Sequence, residues 1–554
     1  MNLNPLCVCG VLCAALANLP IVAATEFSAE RIKIHTAILS SDEFEGRSPG
    51  TPGEDKTVAY LVEEFQKGGL APGNPDGTYV QDVPLVGITS QTTVRFTSAA
   101  GPRELTPVTE VSALSRRNVP EIAVADTEVV FVGYGVVAPE YDWDDYKDVD
   151  VRGKTVLMLI NDPPVTLADD PTRLDEKVFG GRAMTYYGRW TYKYEIASEK
   201  GAAACLIIHE TGPAGYPFAV VGAGAGREAF DLRTPDGNAG RVPFEGWITR
   251  DVGSGLIAAG GQDFDTLKKA AARRDFRPVS LDLRADFAAT NTFRDVASRN
   301  VIARLPGRDP AVAAEHIIHT AHWDHLGREE RLEGDQIYNG ALDNASGTAV
   351  LIELARAYAT LPADARPRRS ILFLAVTAEE RGLLGARHYA ENPLYPLTQT
   401  LANLNMDCAQ VFGPSRDLEV VGYGASTIED LARTLLERDG RVLTPDTRPE
   451  VGSYYRSDHF EFAKQGVPAF YAKRGVEIIG RPEGYGRAIN DEYTSRHYHK
   501  VSDEIGDDWD FTGAALDAQL YFELGRAIAD GDTWPEWKPG NEFKARRDAM
   551  LARP

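Results

Sequence analysis

Two adjacent glutamates, Glu379 and Glu380, follow a short apolar run from Ile371 to Val376. The run has the length and composition of a buried strand, and Ala386 to Tyr389 beyond the pair is typical of a helix. Two carboxylates at the end of a buried strand are costly unless each has a partner. A metal ion is one such partner, and general-base chemistry beside the metal would use the second carboxylate. The pair alone leaves a solvated surface loop open as the alternative.

A group of histidines offers nitrogen ligands for such a metal ion. Four of the ten histidines lie close together, at His316, His319, His322 and His325. The apolar residues between them favour a strand over a helix. We favour His322 as a ligand, because Asp324 lies two residues on and side chains two apart in a strand share a face. A metal-binding histidine usually needs such a carboxylate to hold its other ring nitrogen, although a lone His-x-Asp pair is more often structural.

Three further polar segments lie where a predicted strand ends or a predicted helix begins. Gly340 to Gly347 (GALDNASG) directly precedes a predicted helix, Asn405 to Asp407 ends a predicted strand, and Tyr498 to Lys500 follows an irregular loop. In α/β sheets, ligand sites form at the carboxyl ends of the strands. The sequence therefore predicts that its candidate ligands meet at one rim of a sheet.

The segment from about Asp286 onward supplies the elements that must hold this rim. The predicted strands are Asn300 to Leu305, Glu315 to Ala321, Ile371 to Val376, Leu401 to Met406, Leu418 to Val421 and Val467 to Tyr471. The predicted helices are Gly347 to Thr360, Thr427 to Arg438 and Thr512 to Ile528. This alternation predicts an α/β fold with a mostly parallel central sheet flanked by helices.

Residues 110–285 have a different texture. Short strand-like runs, such as Thr127 to Val132 and Thr155 to Ile160, are separated by many glycines. We therefore predict a smaller, β-rich α/β domain at 110–285, inserted into a discontinuous catalytic domain formed by 25–109 and 286–554. The length of 554 residues is too great for one hydrophobic core, which agrees with this division.

Residues 1–24 have the character of a secretory signal peptide. Leu6 to Leu19 is largely apolar, Val22 to Ala24 offers a small-residue cleavage site, and the apolar segment is too short for a confident membrane anchor. We expect an exported protein, periplasmic or extracellular, without stable membrane insertion; a lipid-anchored form is less favoured. The net charge of −22 argues against nucleic acid as a partner. The oligomeric state is left open.

Taken together, the motifs resemble those of the co-catalytic zinc exopeptidases, the family of bacterial leucyl aminopeptidase and glutamate carboxypeptidase. His-x-Asp, GALDNASG, the glutamate pair, Asn-x-Asp and a late Tyr-His occur in that family's order and rough spacing. The resemblance covers most of the chain after the leader, and it implies the zinc exopeptidase fold (phosphorylase/hydrolase-like) and peptide substrates. The insert, with FVGYGVVAPEY and KGAAACLIIHE, resembles the protease-associated domain of many members.

The resemblance also implies a cofactor and its ligands. Two zinc ions per chain would be bridged by Asp343. Glu380 and His499 would complete the ligands of one ion, and His322 and Asp407 those of the other. The peptide bond between Asp343 and Asn344 is expected to be cis. Cobalt or manganese would suit the same ligands, because imidazole and carboxylate bind several divalent ions.

Three residues receive catalytic or positioning roles from the same resemblance. Glu379 would be the general acid/base, Asp324 would orient His322, and Tyr455 would help to polarise the scissile carbonyl. Gly452 to Phe462 is expected to be a pocket loop, as is Gly475 to Arg496.

We therefore predict a secreted metallo-exopeptidase, foremost an aminopeptidase that removes N-terminal residues. A carboxypeptidase or dipeptidase would share the metal core, so the direction of attack is not decided by the ligands. A non-catalytic peptide-binding protein on the same scaffold would typically lack ligands, whereas this chain keeps all five and the base. A transferase of the glutaminyl cyclase type would use one zinc ion instead of two.

Overall fold

The computed structural model describes residues 26–552 and divides them into two compact units. The first unit comprises residues 26–83, 297–447 and 457–552, and the second comprises 84–296 and 448–456. The predicted signal peptide, residues 1–24, lies outside the described residues. Among those described, no helix combines the length and apolar character needed to cross a membrane.

A mostly parallel sheet forms the centre of the first unit. From one edge to the other, its strands are Val442–Pro445, Asp417–Val420, Ala469–Lys473, Thr400–Asn405, His316–His322, Ser370–Val376 and the end of Val279–Leu305. The four strands in the middle of this order, from Ala469–Lys473 to Ser370–Val376, run parallel to one another. Antiparallel pairs occur only towards the two edges of this order. The predicted α/β fold with a mostly parallel sheet is confirmed.

The two faces of this sheet pack into separate cores. In the strand Ser370–Val376, Ile371, Phe373 and Ala375 belong to one core. Their neighbours Leu372, Leu374 and Val376 belong to the other. Successive side chains of a strand point to opposite faces, so a strand buried on both faces needs the unbroken apolar run seen in the sequence.

Helices cover both faces of the first unit's sheet. The larger core includes side chains of Ala29–Leu39, Pro52–Lys67, Gly347–Ala359, Ile428–Arg438 and Thr512–Asp530. The smaller core includes side chains of Leu384–Glu391 and His459–Lys464. Further helices are Tyr485–Arg496 and Lys544–Leu551, and a short hairpin pairs Gly327–Arg328 with Ile337–Tyr338. The segment Gly475 to Arg496, expected to be a pocket loop, is therefore half helix.

The second unit has its own sheet. Its main order is the first part of Val279–Leu305, then Glu121–Phe131, Thr155–Leu159, Ala204–His209, Phe244–Thr249 and Val111–Leu114. The four strands from Glu121–Phe131 to Phe244–Thr249 are parallel. Further strands are Val80–Ser98, Gly101–Glu104, Val137–Ala138, Trp143–Asp144 and Glu228–Leu232. Its helices are Trp190–Glu199, Thr211–Ala214, Phe218–Gly222, Arg250–Ala259 and Phe264–Ala271.

Two long strands determine where the second unit begins and where its first segment ends. Most of Val80–Ser98 belongs to it, because residues Leu85 to Thr89 pair with Glu228–Leu232. Most of Val279–Leu305 belongs to it as well, because that part pairs with Glu121–Phe131. As a result, residues 84–109 and 286–296 lie in the second unit, although the sequence analysis assigned them to the catalytic domain.

Candidate metal centre

The five predicted metal ligands come together in the first unit. His322 ends the strand His316–His322, Glu380 follows Ser370–Val376, and Asp407 follows Thr400–Asn405. These three strands are parallel neighbours, so their carboxyl ends meet at the same edge of the sheet. Asp343 and His499 reach the same place from loops.

Short distances link these five side chains through Asp343. His322 Nε2 lies 3.4 Å from Asp343 Oδ1 and 3.6 Å from Asp407 Oδ1. His499 Nε2 lies 3.2 Å from Asp343 Oδ2 and 3.0 Å from Glu380 Oε2. Each carboxylate oxygen of Asp343 therefore faces a different histidine, and each histidine also faces a second carboxylate.

Two overlapping groups in the described residues have ligand atoms close enough to hold a metal ion. One consists of His322, Asp343 and Asp407, and the other of His325, Asp343 and Glu380; within each group the atoms lie within 4.8 Å of one another. Imidazole nitrogen and carboxylate oxygen are ligands that zinc accepts. Asp343 belongs to both groups, which is the position expected of a bridging residue.

His325 was not predicted as part of the site. Its Nδ1 lies 2.6 Å from Glu380 Oε1, so Glu380 lies between His325 and His499. Spacing favours His322, which has Asp324 two residues on, over His325, which has no carboxylate at that position. Its position just beyond the end of the strand could have marked His325 as a site residue, because ligand sites of α/β folds form there.

Buried polar atoms without partners support a cation at this place. Within residues 26–552, neither carboxylate oxygen of Asp458 has a hydrogen-bond partner, and neither does His325 Nε2. Buried polar groups are nearly always paired, and an ion is one reason for an exception. The pKa of Asp458 is raised well above its ordinary value by burial and by the neighbouring carboxylates Asp407 and Asp324, although His322 acts in the opposite direction. The chemistry and burial of these groups fit a divalent cation.

The histidines and carboxylates of the site stabilise each other's charged forms. Although burial disfavours their charged forms, the nearby carboxylates raise the pKa of His499 to about 10 and that of His322 well above its usual value. In the same way, hydrogen bonds from these two histidines hold the pKa of Asp343 well below its usual range despite burial. Histidine must be neutral to bind a metal ion, so cation binding here would release protons.

Glu379 and Glu380 differ sharply although they are adjacent. The pKa of Glu380 falls to about 2, because His325 and His499 outweigh the opposing effects of burial and of Asp343. The pKa of Glu379 is raised well above its usual value by burial and by Glu380, Asp458 and Asp407, which outweigh His322. Glu380 therefore suits a permanent ligand, and Glu379 suits a group that holds and releases a proton.

Asp324 organises the glutamate pair as well as the histidine. The closest contact of His322 Nδ1 is to the backbone oxygen of Asp324, at 3.2 Å, while its carboxylate lies 3.8 Å away. The Asp324 carboxylate instead accepts the backbone N–H groups of Glu379, at 3.0 Å, and Glu380, at 3.4 Å. Burial raises the pKa of Asp324 to about 6. Its role in orienting His322 stays a prediction, and the closer contact of the ring is with the backbone oxygen.

The turn Ala341–Ser346, which carries Asp343, is held by side-chain hydrogen bonds. The Asp343–Asn344 peptide bond is cis, as the family resemblance implied. Asp503 accepts the backbone N–H groups of Leu342 and Asp343, each at 3.1 Å. The Asn344 amide donates to Met406 O at 3.1 Å and its oxygen accepts Cys408 N–H at 3.0 Å, so this side chain ties the turn to the segment that carries Asp407.

Glycine is required where this turn enters the helix Gly347–Ala359. A Cβ atom at Gly347 would lie 2.1 Å from Asn344 Oδ1 and 2.8 Å from Met406 O. The close approach allows Asn344 Oδ1 to accept the Gly347 N–H at 2.9 Å. Packing therefore explains why Gly347, the second glycine of the GALDNASG motif, is a glycine.

Two tyrosines from the sequence analysis have different surroundings. Tyr498 follows the helix Tyr485–Arg496 and stacks on His499, with ring centroids 3.9 Å apart. Tyr455 belongs to the second unit, where its hydroxyl donates to Met184 O at 3.2 Å and its ring packs 5.8 Å from that of Tyr186. The role of Tyr455 in polarising a carbonyl stays a prediction.

Comparison with known proteins agrees with this geometry. The model of peptidase family M28 matches residues 300–522, the segment that contains all five predicted ligands. This segment belongs to peptidase family M28. The family recognised from the sequence motifs is confirmed. The matched segment contains the candidate ligands, the glutamate pair and the GALDNASG turn.

Similar proteins include exopeptidases of two kinds. A probable glutamate carboxypeptidase VP8 from Zea mays is 34% identical over 109 residues, which is 19% of this chain and 14% of that protein. Aminopeptidase NAALADL1 from Mus musculus is 45% identical over 76 residues, which is 13% of this chain and 10% of that protein. The chain thus spans less than a sixth of the length of these curated relatives.

Among solved structures, an aminopeptidase from Aneurinibacillus sp. strain AM-1 is similar. It shares 19% sequence identity at a TM-score of 0.47, and the alignment covers 92% of this chain and 97% of that one.

Proposed function

We propose that the protein is a zinc metallo-exopeptidase, foremost an aminopeptidase, that binds two zinc ions per chain. The observation that carries the proposal is the shared position of Asp343, which belongs to two groups of ligands. His322 and Asp407 would complete the ligands of one ion, and Glu380 and His499 those of the other. The membership of residues 300–522 in peptidase family M28 supports the same assignment.

The residues around the ions would perform the remaining chemistry. Bound zinc supplies Lewis acidity, which polarises a peptide carbonyl and makes water a better nucleophile. The Glu379 carboxylate would take a proton from the attacking water and then donate it to the nitrogen of the leaving amine. The raised pKa of Glu379, caused by burial and by neighbouring carboxylates, suits this transfer in both directions. Asp324 would hold Glu379 in place through its backbone N–H.

The substrate would be a peptide, and the site of action would be outside the cytoplasm. The apolar leader at 1–24 with its small-residue cleavage site supports export to the periplasm or the medium.

Peptides with blocked ends test the direction of attack. The protein is treated with a chelator, reloaded with zinc, analysed for metal and offered matched peptides with free or acetylated N-termini and free or amidated C-termini. We expect hydrolysis only of peptides with a free N-terminus, lost with the chelator and restored by two zinc ions per chain. Hydrolysis that requires a free C-terminus would instead identify a carboxypeptidase. One zinc ion per chain, or bound zinc without hydrolysis, would contradict the proposal.

A further inference from the structure

Arg47 is a buried cation that donates all of its described hydrogen bonds to backbone carbonyl groups. Only 1% of its surface is exposed. Its Nε donates to Trp323 O at 2.9 Å, its Nη1 to Leu39 O at 2.6 Å and to Asn339 O at 2.7 Å, and its Nη2 to Gly340 O at 2.9 Å. Four hydrogen bonds from one planar group fix its orientation, and they fix the carbonyl groups relative to one another.

Three of these four carbonyl groups, those of Trp323, Asn339 and Gly340, lie beside the candidate metal ligands His322 and Asp343 in the chain, whereas Leu39 ends the helix Ala29–Leu39. Trp323 lies between His322 and Asp324 in the chain, and Gly340 directly precedes the turn that carries Asp343. The backbone oxygen of Arg47 also accepts the N–H of His325, at 3.4 Å. One side chain therefore connects the histidine loop with the aspartate turn, although the two are separate in sequence.

The backbone at Gly46 and Arg47 has an unusual conformation. Gly46 and Arg47 both have positive φ, 66° and 52°. A Cβ atom at Gly46 would lie 2.5 Å from Gly327 O and 2.6 Å from Tyr338 O, so only glycine allows this close approach to the hairpin. A non-glycine residue rarely adopts positive φ, which means that the surrounding contacts hold Arg47 there.

A buried cation beside a cation site needs an explanation. Burial lowers the pKa of Arg47 to about 10, although the carboxylates Asp503, Asp324, Asp343 and Glu380 act against that effect. Its positive charge should by itself oppose the binding of a divalent cation nearby. A neutral side chain would avoid that repulsion, so the hydrogen bonds are what the arginine contributes.

We propose that Arg47 is a positioning residue that holds the His322 loop and the Asp343 turn at the separation required for metal binding. The inference rests on the proposed function, since it concerns the same metal centre. Positioning and charge repulsion predict opposite changes in zinc affinity when Arg47 is replaced. Removal of Arg47 should weaken zinc binding if positioning dominates, and should strengthen it if charge repulsion dominates.

Two variants at this position and one control separate these effects. Arg47→Lys keeps the charge but concentrates its donors on one atom, and Arg47→Gln removes the charge. Arg547→Gln is the matched control in the same unit, because Arg547 is also buried and donates to Leu397 O at 3.2 Å and Thr400 O at 2.8 Å. Thr400 begins the strand that ends at Asn405, so this contact lies at the end of the strand away from Asp407.

The measurements are zinc affinity by competition with a chromophoric chelator and hydrogen exchange of the zinc-depleted protein. We expect both Arg47 variants to bind zinc about 10 to 100-fold more weakly than the wild type, the range typical of residues that orient metal ligands. Backbone amides of residues 323–325 and 339–343 should exchange faster in these variants. Arg547→Gln should bind zinc as the wild type does, even if its unfolding temperature falls.

The remaining outcomes would contradict either the role of Arg47 or the proposed function. Equal or tighter zinc binding by folded Arg47 variants would overturn the inference, and so would failure of both variants to fold, since Arg47 would then support the whole unit and not the metal loops in particular. Wild-type affinity in Arg47→Lys, with weaker binding in Arg47→Gln, would show that the fixed geometry of the guanidinium is not required, and it would also overturn the inference. If the wild type itself binds no zinc, the proposed function fails first, and that result is separate.

Discussion

Adjacent residues of the same type receive opposite properties from their neighbours in this site. Glu380 lies between two imidazole rings, which lower its pKa to about 2 against the effects of burial and Asp343. Glu379 is buried among carboxylates, and burial together with those charges raises its pKa well above the usual value. Such a separation of two carboxyl groups is a common way to assign one group to binding and the other to proton transfer.

The substitution Glu379→Gln tests the proton-transfer role. Gln is similar in size but cannot accept and return the proton, so we expect kcat to fall by about 10²- to 10⁴-fold. Zinc content should remain that of the wild type, because Glu379 belongs to neither group of ligand atoms. Glu380→Gln serves as the comparison and should lose zinc as well. Near-normal turnover by Glu379→Gln would contradict the assignment.

The substitution Asp324→Asn tests whether this residue acts on the glutamates. The carboxylate accepts two backbone N–H groups, those of Glu379 and Glu380. An amide has one acceptor oxygen, and its NH₂ group would face an N–H group. We expect kcat to fall about 10 to 100-fold, as for other residues that orient a metal site. Parallel zinc titration is the control; unchanged kcat with weakened zinc binding would place the effect on His322 alone.

At the scale of secondary structure, local patterns predicted the elements that hold the ligands. The strand Ser370–Val376 is an unbroken apolar run because both of its faces are buried, and such a run is visible in the sequence. The helix Tyr485–Arg496 was missed because only Gly486 and Tyr493 are buried, so it has no apolar stripe. The strand Val80–Ser98 was missed although residues 95–98 form a local hairpin with Gly101–Glu104; residues 85–89 pair with Glu228–Leu232, which is distant in sequence.

The same limits apply to the residues of the site. His322 and Asp407 were indicated by short motifs at the carboxyl ends of predicted strands. Arg47 was not, because its partners are carbonyl groups of Trp323, Asn339 and Gly340, and a backbone oxygen leaves no trace in residue type. The sequence therefore indicated the candidate ligands more readily than a side chain whose partners are backbone atoms.

His319, in the strand His316–His322, should make the first unit sensitive to acid. Its ring is buried and stacks on Phe373, and neither ring nitrogen has a partner in the described part of the chain. Burial lowers its pKa to about 3. The unfolded chain takes up this proton near pH 6.5 and the folded chain does not, so stability is lost as pH falls below about 6.5.

The substitution His319→Phe tests this expectation. We expect the wild type to lose about 2 kcal/mol of unfolding free energy between pH 7 and pH 5 through this residue, and the variant to lose correspondingly less. Urea unfolding at the two pH values measures the difference. The substitution keeps a ring against Phe373, so equal acid sensitivity in both proteins would show that other groups dominate.

For the whole molecule, the division into two units predicts where metal removal is felt. The candidate ligands all lie in the first unit, and a bound ion stabilises only the structure that binds it. Chelation should therefore speed hydrogen exchange at residues 322–325 and 341–346. Amides of Thr155–Leu159 and Ala204–His209, in the second unit's sheet, should exchange at the same rate with and without zinc. Uniform acceleration across both sheets would contradict local stabilisation.

Removing residues 84–296 would not remove the whole second unit, because residues 448–456 also belong to it. This nine-residue segment lies between 447 and 457 of the first unit, yet it packs with the second, where Met184 N–H donates to Pro449 O at 3.1 Å and Arg182 pairs with Glu450 at 2.9 Å. A truncated protein made by cutting out 84–296 would retain Tyr455, buried in the intact chain, without Met184 and Tyr186, which its hydroxyl and its ring contact. A protein designed to contain the first unit alone should therefore also have residues 448–456 replaced, because the apolar surface left uncovered there would promote aggregation.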